Sequence, residues 1–213
     1  MNKRKLDILQ SNFNNLLNCD FDYNKSKLYH RYSNNLNLDT ILLLDNHIYF
    51  DAVVNSDSIQ QLMLYINLIV NNSNLLKNQS IMLHINTKGG FIKDLIKFLI
   101  FKLSLNYEII SIIDKECYDC GIMLAAICDY RIISKNAKCF LTKISDNQYF
   151  WNYFKQCNND INEIVQLKQN IYDILCNQIN SKLNMHKLDN YFREGCVWDA
   201  KKYRKLGLAD EII

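Results

Sequence analysis

Residues 80–92 read SIMLHINTKGGFI and run on as KDLIKFLIFKLSL to Leu105. A short apolar run of this kind suits a buried strand, and the apolar residues after Phe91 recur at helical spacing. Between them stands a Gly-Gly pair, in a chain that has only five glycines and no proline. Glycine is needed where the backbone takes a positive φ or comes close to another group. The stretch therefore reads as a buried strand, a turn that brings bare backbone close to something, and an amphipathic helix. A strand followed by a crossover helix implies that the next strand lies parallel to the first.

The flanking segments repeat that logic. TILLLDNHIYFDAVV (40–54) reads as strand, Asp45-Asn46 turn and strand. SDSIQQLMLYINLIV (56–70) places Ile59, Leu62, Met63, Ile66 and Val70 on one helical stripe, with Ser56 and Asp57 as candidate caps. YEIISIID (107–114) is another strand, and CGIMLAAIC (120–128) a compact helix apolar all round. YRIISKNAKCFLTKI (130–144) gives two short strands about Lys135-Asn136. A long amphipathic helix is expected over 158–183, and the tail WDAKKYRKLGLADEII (198–213) reads as a helix, a Gly207 stop and a last strand. Alternating strands and helices make the class α/β.

Composition narrows the function. A length of 213 residues with 49% hydrophobic content fits one domain, expected over 38–213. A net charge of +3 argues for neither a nucleic-acid nor an anionic-membrane partner, and the basic run Lys201 to Lys205 reads as a solvated helix face. No apolar run approaches the ~18 residues of a membrane span, so a soluble protein is expected. The eight cysteines are scattered and mostly apolar in setting, as for buried thiols in a reducing compartment. Cys117 and Cys120 form a lone Cys-x-x-Cys without a second pair, so no metal site is expected. Asparagine makes up about one residue in seven, the bias of an AT-rich genome. Residues 1–37 are polar and irregular, a flexible arm or the remnant of a targeting extension.

Three stretches in register resemble the Clp protease proteolytic subunit family (ClpP), a branch of the crotonase-like superfamily. SIMLHINTKGGFI is similar to that family's strand and Asn-Ser-Pro-Gly-Gly turn, with Lys88 in place of the proline. CYDCGIMLAA (117–126) is similar to its strand-to-helix elbow Ala-Ala-Ser-Met-Gly-Ala. GCVWDAKKYRKLGLADEII (195–213) is similar to its C-terminal motif. The resemblance spans nearly all of 40–213 and implies stacked βαβ units with a long protruding handle helix. It also implies an oxyanion hole made by the Gly89-Gly90 pair and the N–H of Cys120, two fixed donors that stabilise a developing negative charge by several kcal/mol.

The catalytic residues of the family do not follow. Asp119 stands at the serine position, Thr142 at the histidine and Gly195 at the aspartate, where a one-residue slip would bring Glu194. A carboxylate is a weak nucleophile toward amides and opposes oxyanion formation beside it, and threonine is no base near neutral pH. Serine and aspartate are both good helix caps, so Asp119 is expected to cap the helix that follows it. The thiol of Cys120 is expected to point away from the substrate.

The resemblance thus implies an inactive serine-peptidase homologue of the ClpR type, without cofactor, in a plastid and, on the asparagine bias, the apicoplast. Its implied partners are further copies in a heptamer, active ClpP subunits and an AAA+ Clp chaperone. Met82 and His84 replace the docking-pocket aromatics, which weakens the chaperone expectation, and SDNQYFWNYFKQ (145–156) with Glu194 weakens that of stacked identical rings. The alternative is a crotonase-like acyl-CoA enzyme with Asp119 as base beside the Gly90/Cys120 donors. A peptide-binding module without chemistry is a third reading.

Overall fold

The computed structural model describes residues 40–71, 80–142, 169 and 183–213. The expected arm (1–37), the ring-stacking stretch 145–156 and, except for Gln169 and Leu183, the long helix over 158–183 lie outside the described residues.

Within them, β1 (Thr40–Leu44) and β2 (His47–Asp51) flank the turn at Asp45, whose φ is 55°. Helix α1 (Ser56–Asn71) follows, then β3 (Ile81–Thr87), α2 (Ile92–Leu103), β4 (Ile109–Tyr118) and α3 (Cys120–Ile127). Strands β5 (Tyr130–Ile133) and β6 (Lys138–Leu141), helix α4 (Met185–Glu194), β7 (Cys196–Asp199), α5 (Ala200–Lys205) and β8 (Glu211–Ile212) complete the order. The eight described strands form one sheet in the order β1-β2-β3-β4-β5-β8, with β6 branching off β4 and β7 pairing β6. Pairs from β2 to β8 along the main path are parallel, as the strand–helix alternation requires, while β6 and β7 are antiparallel.

Period-two alternation divides β3 between the two faces of the sheet. Ile81, Leu83 and Ile85 join the core formed with Ile59, Leu62 and Ile66 of α1 and Leu95 and Phe98 of α2. Met82 and His84 face the other way. Helix α1 departs from expectation at its start: Asn55, not Ser56 or Asp57, caps it. The Asn55 side chain accepts from Ser58 N–H at 2.9 Å, and the Ser58 hydroxyl oxygen accepts from Asn55 N–H at 2.9 Å, a reciprocal capping box. The basic tail helix behaves as read, with Lys201, Lys202, Arg204 and Lys205 exposed and Tyr203 buried.

Where β4 divides its pairing, with β5 along its first half and β6 along its second, the sheet opens at the elbow that leads into α3. That opening, faced by the end of β3, is where the site residues gather.

Candidate functional site at the strand-to-helix elbow

Asp119 joins β4 to α3 in a backbone conformation that L residues rarely adopt, φ 40° and ψ −98°. Such a residue costs on the order of 1–3 kcal/mol and persists only where its surroundings hold it. Here its N–H donates to Phe140 O at 2.9 Å, tying the elbow to β6. A tight strand-to-helix turn of this kind is how several hydrolase folds present a nucleophile. Gly121, two residues on, lets the helix sit close: a Cβ there would lie 2.3 Å from Thr87 Cγ2 and 2.7 Å from Cys117 Sγ.

The expectation that the Asp119 side chain caps α3 is wrong. It makes no cap hydrogen bond. Positive φ swings the carboxylate off the helix axis toward the end of β6, where Oδ1 accepts from Thr142 N–H and Oδ2 from the Thr142 hydroxyl, both at 2.8 Å. Asp119 is buried, so these bonds replace its lost hydration. The β6–β7 register pairs Leu141 with Cys196, and one step further sets Thr142 opposite Gly195. Gly195 ends α4 at φ 70° and ψ 158°, with its N–H donating to Tyr191 O at 2.8 Å.

The Gly89-Gly90 turn meets the elbow from β3. Val54 N–H donates to Gly89 O at 2.8 Å and Phe91 N–H to Val54 O at 2.7 Å, a parallel bridge centred on Gly90. Gly90 has φ 149°, and a Cβ on it would fall 2.0 Å from Val54 O, so only glycine can stand there. The bridge directs the Gly90 N–H and C=O away from Val54. Its carbonyl accepts from Cys120 Sγ at 3.0 Å, which ties the turn to the first residue of α3. Neither the Gly90 N–H nor the Cys120 N–H donates to another of the described residues. Gly89 faces Asp119, with its would-be Cβ 3.7 Å from Oδ2.

All six residues singled out in the sequence, Gly89, Gly90, Asp119, Cys120, Thr142 and Gly195, are therefore neighbours. Two N–H donors suit a carbonyl oxygen, but the carboxylate beside them opposes negative charge on it. The Cys120 thiol is buried, which pushes its ionisation far above the ordinary thiol range, with the nearby Asp119 charge adding to the shift. It is no thiolate nucleophile. The Asp119 carboxylate, engaged by two donors from Thr142, is poorly disposed to serve as a base for thioester chemistry. Cys117 lies fully buried beneath Gly121, and among the described residues no three His, Cys, Asp or Glu side chains are grouped to hold a metal ion.

Two supports of the turn escaped the sequence reading. Thr87 Oγ1 donates to Ala52 O at 2.5 Å and accepts from Gly89 N–H at 3.2 Å, and Val54 supplies both bonds of the bridge. Both come from the strand pairing, which no local pattern reveals.

A parallel sheet with crossover helices, a Gly-Gly turn facing a strained strand-to-helix elbow and a side branch carrying the next site residue define the class as a ClpP-like α/β fold. No protein-family model and no curated protein sequence matches the chain. Solved structures do match: a peptidase from Plasmodium falciparum, at 16% identity and a TM-score of 0.61, over 79% of this chain and 95% of that one. The ClpP protease catalytic domain from Plasmodium falciparum matches at 17% and 0.61, over 78% and 83%. A ClpP1 mutant from Listeria monocytogenes matches at 11% and 0.65, over 79% and 91%. At such identities the likeness is one of fold. Among the described residues no helix is long and apolar enough to cross a membrane.

Proposed function

We propose that the chain is a non-catalytic ClpP-like ring subunit with a structural or regulatory role in an ATP-dependent Clp protease complex. The observation that carries this reading is Asp119: the strained elbow persists, yet it presents a buried carboxylate clamped by Thr142 rather than a hydroxyl beside a base. Among the described residues no histidine is hydrogen-bonded to Asp119 or Thr142, and Gly195 has no side chain to orient one. A fold retained at this cost without the groups for amide hydrolysis is best explained by assembly.

The partners proposed are further copies of this chain or active ClpP subunits within a heptameric ring, with a AAA+ Clp chaperone above it. A plastid, and specifically the apicoplast, is the proposed location, resting on the resemblance to ClpR subunits and the asparagine-rich composition. The arm expected over 1–37 and the single domain over 38–213 belong to the same proposal.

Native mass spectrometry of the purified chain tests it. Seven copies of the 25.2 kDa chain give about 176 kDa, a closed cyclic assembly. Twice that mass means that identical rings stack. A trimer or hexamer, especially one that turns over acyl thioesters, overturns the reading in favour of the crotonase-like enzyme. A monomer that enters the ring only when mixed with active ClpP gives the hetero-oligomer. Hydrolysis of a fluorogenic peptide by the isolated chain, or its labelling by a serine-directed phosphonate, refutes the loss of catalysis.

A further inference from the structure

On the sheet face turned away from the helices, three strands bring together an unbroken polar chain. His84 of β3, only 5% exposed, has both ring nitrogens engaged: Nδ1 with Asp114 Oδ2 of β4 at 2.8 Å, and Nε2 with His47 Nδ1 of β2 at 3.0 Å. Tyr49 of β2 stacks on the same imidazole at 4.4 Å between ring centroids. Burial and the Asp114 charge raise the Tyr49 phenol above its ordinary range, so it stays neutral. The other ionisable groups that the strand register sets on this face are Asp51 on β2, Glu116 on β4 with Lys88 at 3.6 Å, Tyr130 on β5, Lys138 on β6 and Glu211 on β8. Met82 and Ile112 are apolar neighbours. The two imidazoles spend their facing nitrogens on each other, and no third metal ligand joins them among the described residues. What the cluster can take up is a proton.

We propose that Asp114, His84 and His47 form a proton-sensitive latch between β2 and β3 that controls the Gly89-Gly90 turn. Only one hydrogen fits between His47 Nδ1 and His84 Nε2. With the pair neutral, or carrying one added proton balanced by Asp114, the N–H···N bond holds. A second added proton sets N–H against N–H and like charge against like, and the bond breaks. Imidazole is the side chain whose ordinary charge change lies between about pH 5 and 8. Beyond β2 the chain runs directly to Ala52, which accepts from Thr87, and to Val54, which holds Gly89 and Phe91. Loss of the latch therefore removes a side-chain tie from the strand that pins the turn and leaves the backbone ladder between β2 and β3 to hold it alone.

The linkage sign follows from proton counting. The opened state binds both protons and the latched state at most one. Acidification therefore favours opening, by up to tenfold per pH unit for one extra proton.

Amide hydrogen exchange on the full chain between pH 5 and 8, divided by the intrinsic exchange rate, reads this opening directly. The Val54 and Phe91 amides are expected to lose protection on acidification. Asp210 and Ile213, which donate to Arg131 and Ile133 at the β5–β8 edge, serve as references and are expected to stay flat. His47→Gln, which keeps a side-chain donor but cannot titrate in this range, is expected to abolish the slope. A flat wild-type profile, or a slope that survives in His47→Gln, overturns the proposal. Should that variant not fold, imidazole NMR on the wild type decides: two separated proton-uptake steps, the second coinciding with loss of Val54 protection, support the latch. Independent titrations with Val54 unchanged overturn it.

Discussion

The Gly89-Gly90 turn and the seam between β5 and β8 both close the sheet, one at the candidate site and the other at the far edge, and they do so by opposite means. At the turn the bridge to Val54 is backbone to backbone, with the Thr87 and Cys120 side chains bonded beside it, and it depends on what is absent: no Cβ on Gly90 against Val54, none on Gly121 against Thr87. At the seam, side chains join the strands. Arg131 Nε and Nη2 donate to the two oxygens of Asp210 at 2.9 and 2.8 Å, Arg131 N–H donates to Asp210 Oδ2 at 2.9 Å, and the Tyr130 hydroxyl meets Glu211 at 3.1 Å. A seam of side chains can be remade with other pairs. A turn that depends on missing atoms cannot, so position 90 tolerates no side chain while the seam can be rebuilt.

The largest break in that comparison is expected from Gly90→Ala. Its Cβ meets rigid backbone, so strain and overpacking together are expected to cost about 3–5 kcal/mol in denaturant unfolding. At the seam, Arg131→Ala leaves Asp210 with an unpaired charge, but that carboxylate is about a third exposed. The loss is expected to be about 1–3 kcal/mol, below that of a fully buried pair. A Gly90→Ala variant as stable as Arg131→Ala would end the contrast.

Gly121→Ala sharpens it, because its obstacles are side-chain atoms that can be removed. The expected cost is about 1–3 kcal/mol, and a double-mutant cycle with Thr87→Ser, which deletes Cγ2 but keeps the Oγ1 bonds, should recover part of it. Additive costs would mean that the helix, not Thr87, yields.

Asp119→Ser places a hydroxyl at the elbow while removing the carboxylate that holds Thr142. A stability change of about 1 kcal/mol is expected, with no peptide hydrolysis above background. Adding Thr142→His and Gly195→Asp is not expected to restore hydrolysis, since φ 70° and ψ 158° at position 195 suit glycine and an aspartate there would be strained.

The smallest expected effect is alkaline. Burial pushes the Cys128 and Cys196 thiols up to about 12, while in the unfolded chain they ionise near pH 8.5. Above that pH the unfolded state binds fewer protons than the native one, so stability is full at neutral pH and falls as pH rises from about 9 toward 12. Melting temperatures over that range are expected to drop less steeply in Cys128→Ala than in the parent, relative to each at pH 7.

Much of this was legible in the residues. Period-two and helical spacing marked β1 to β5 and α1 to α3, because burial on one face or stripe leaves a local signature. The Gly89-Gly90 pair also stood out locally, whereas Asp119, Cys120, Thr142 and Gly195 were singled out only by the resemblance to the ClpP family. The cap of α1 was missed because Asn55 and Ser58 satisfy each other, and the apolar pattern does not say which polar residue begins the helix. The fate of the Asp119 side chain was missed for a deeper reason. A good capping residue caps only with an extended backbone, and the positive φ imposed by the elbow aims it elsewhere.

By itself the sequence determined the α/β class, the parallel pairing implied by its crossovers and the apolar settings that bury Cys117, Cys120, Cys128 and Cys139. These depend on residue type and spacing, which need no partner to be read. Only the tertiary structure decided that Thr142 clamps Asp119, that Val54 and Thr87 hold the glycine turn, and that His47, His84 and Asp114 form one chain across three strands. Apart from the Thr87–Gly89 bond, each of those contacts joins residues 23 or more positions apart, and the sheet's register, set by global packing, brings them within hydrogen-bond reach.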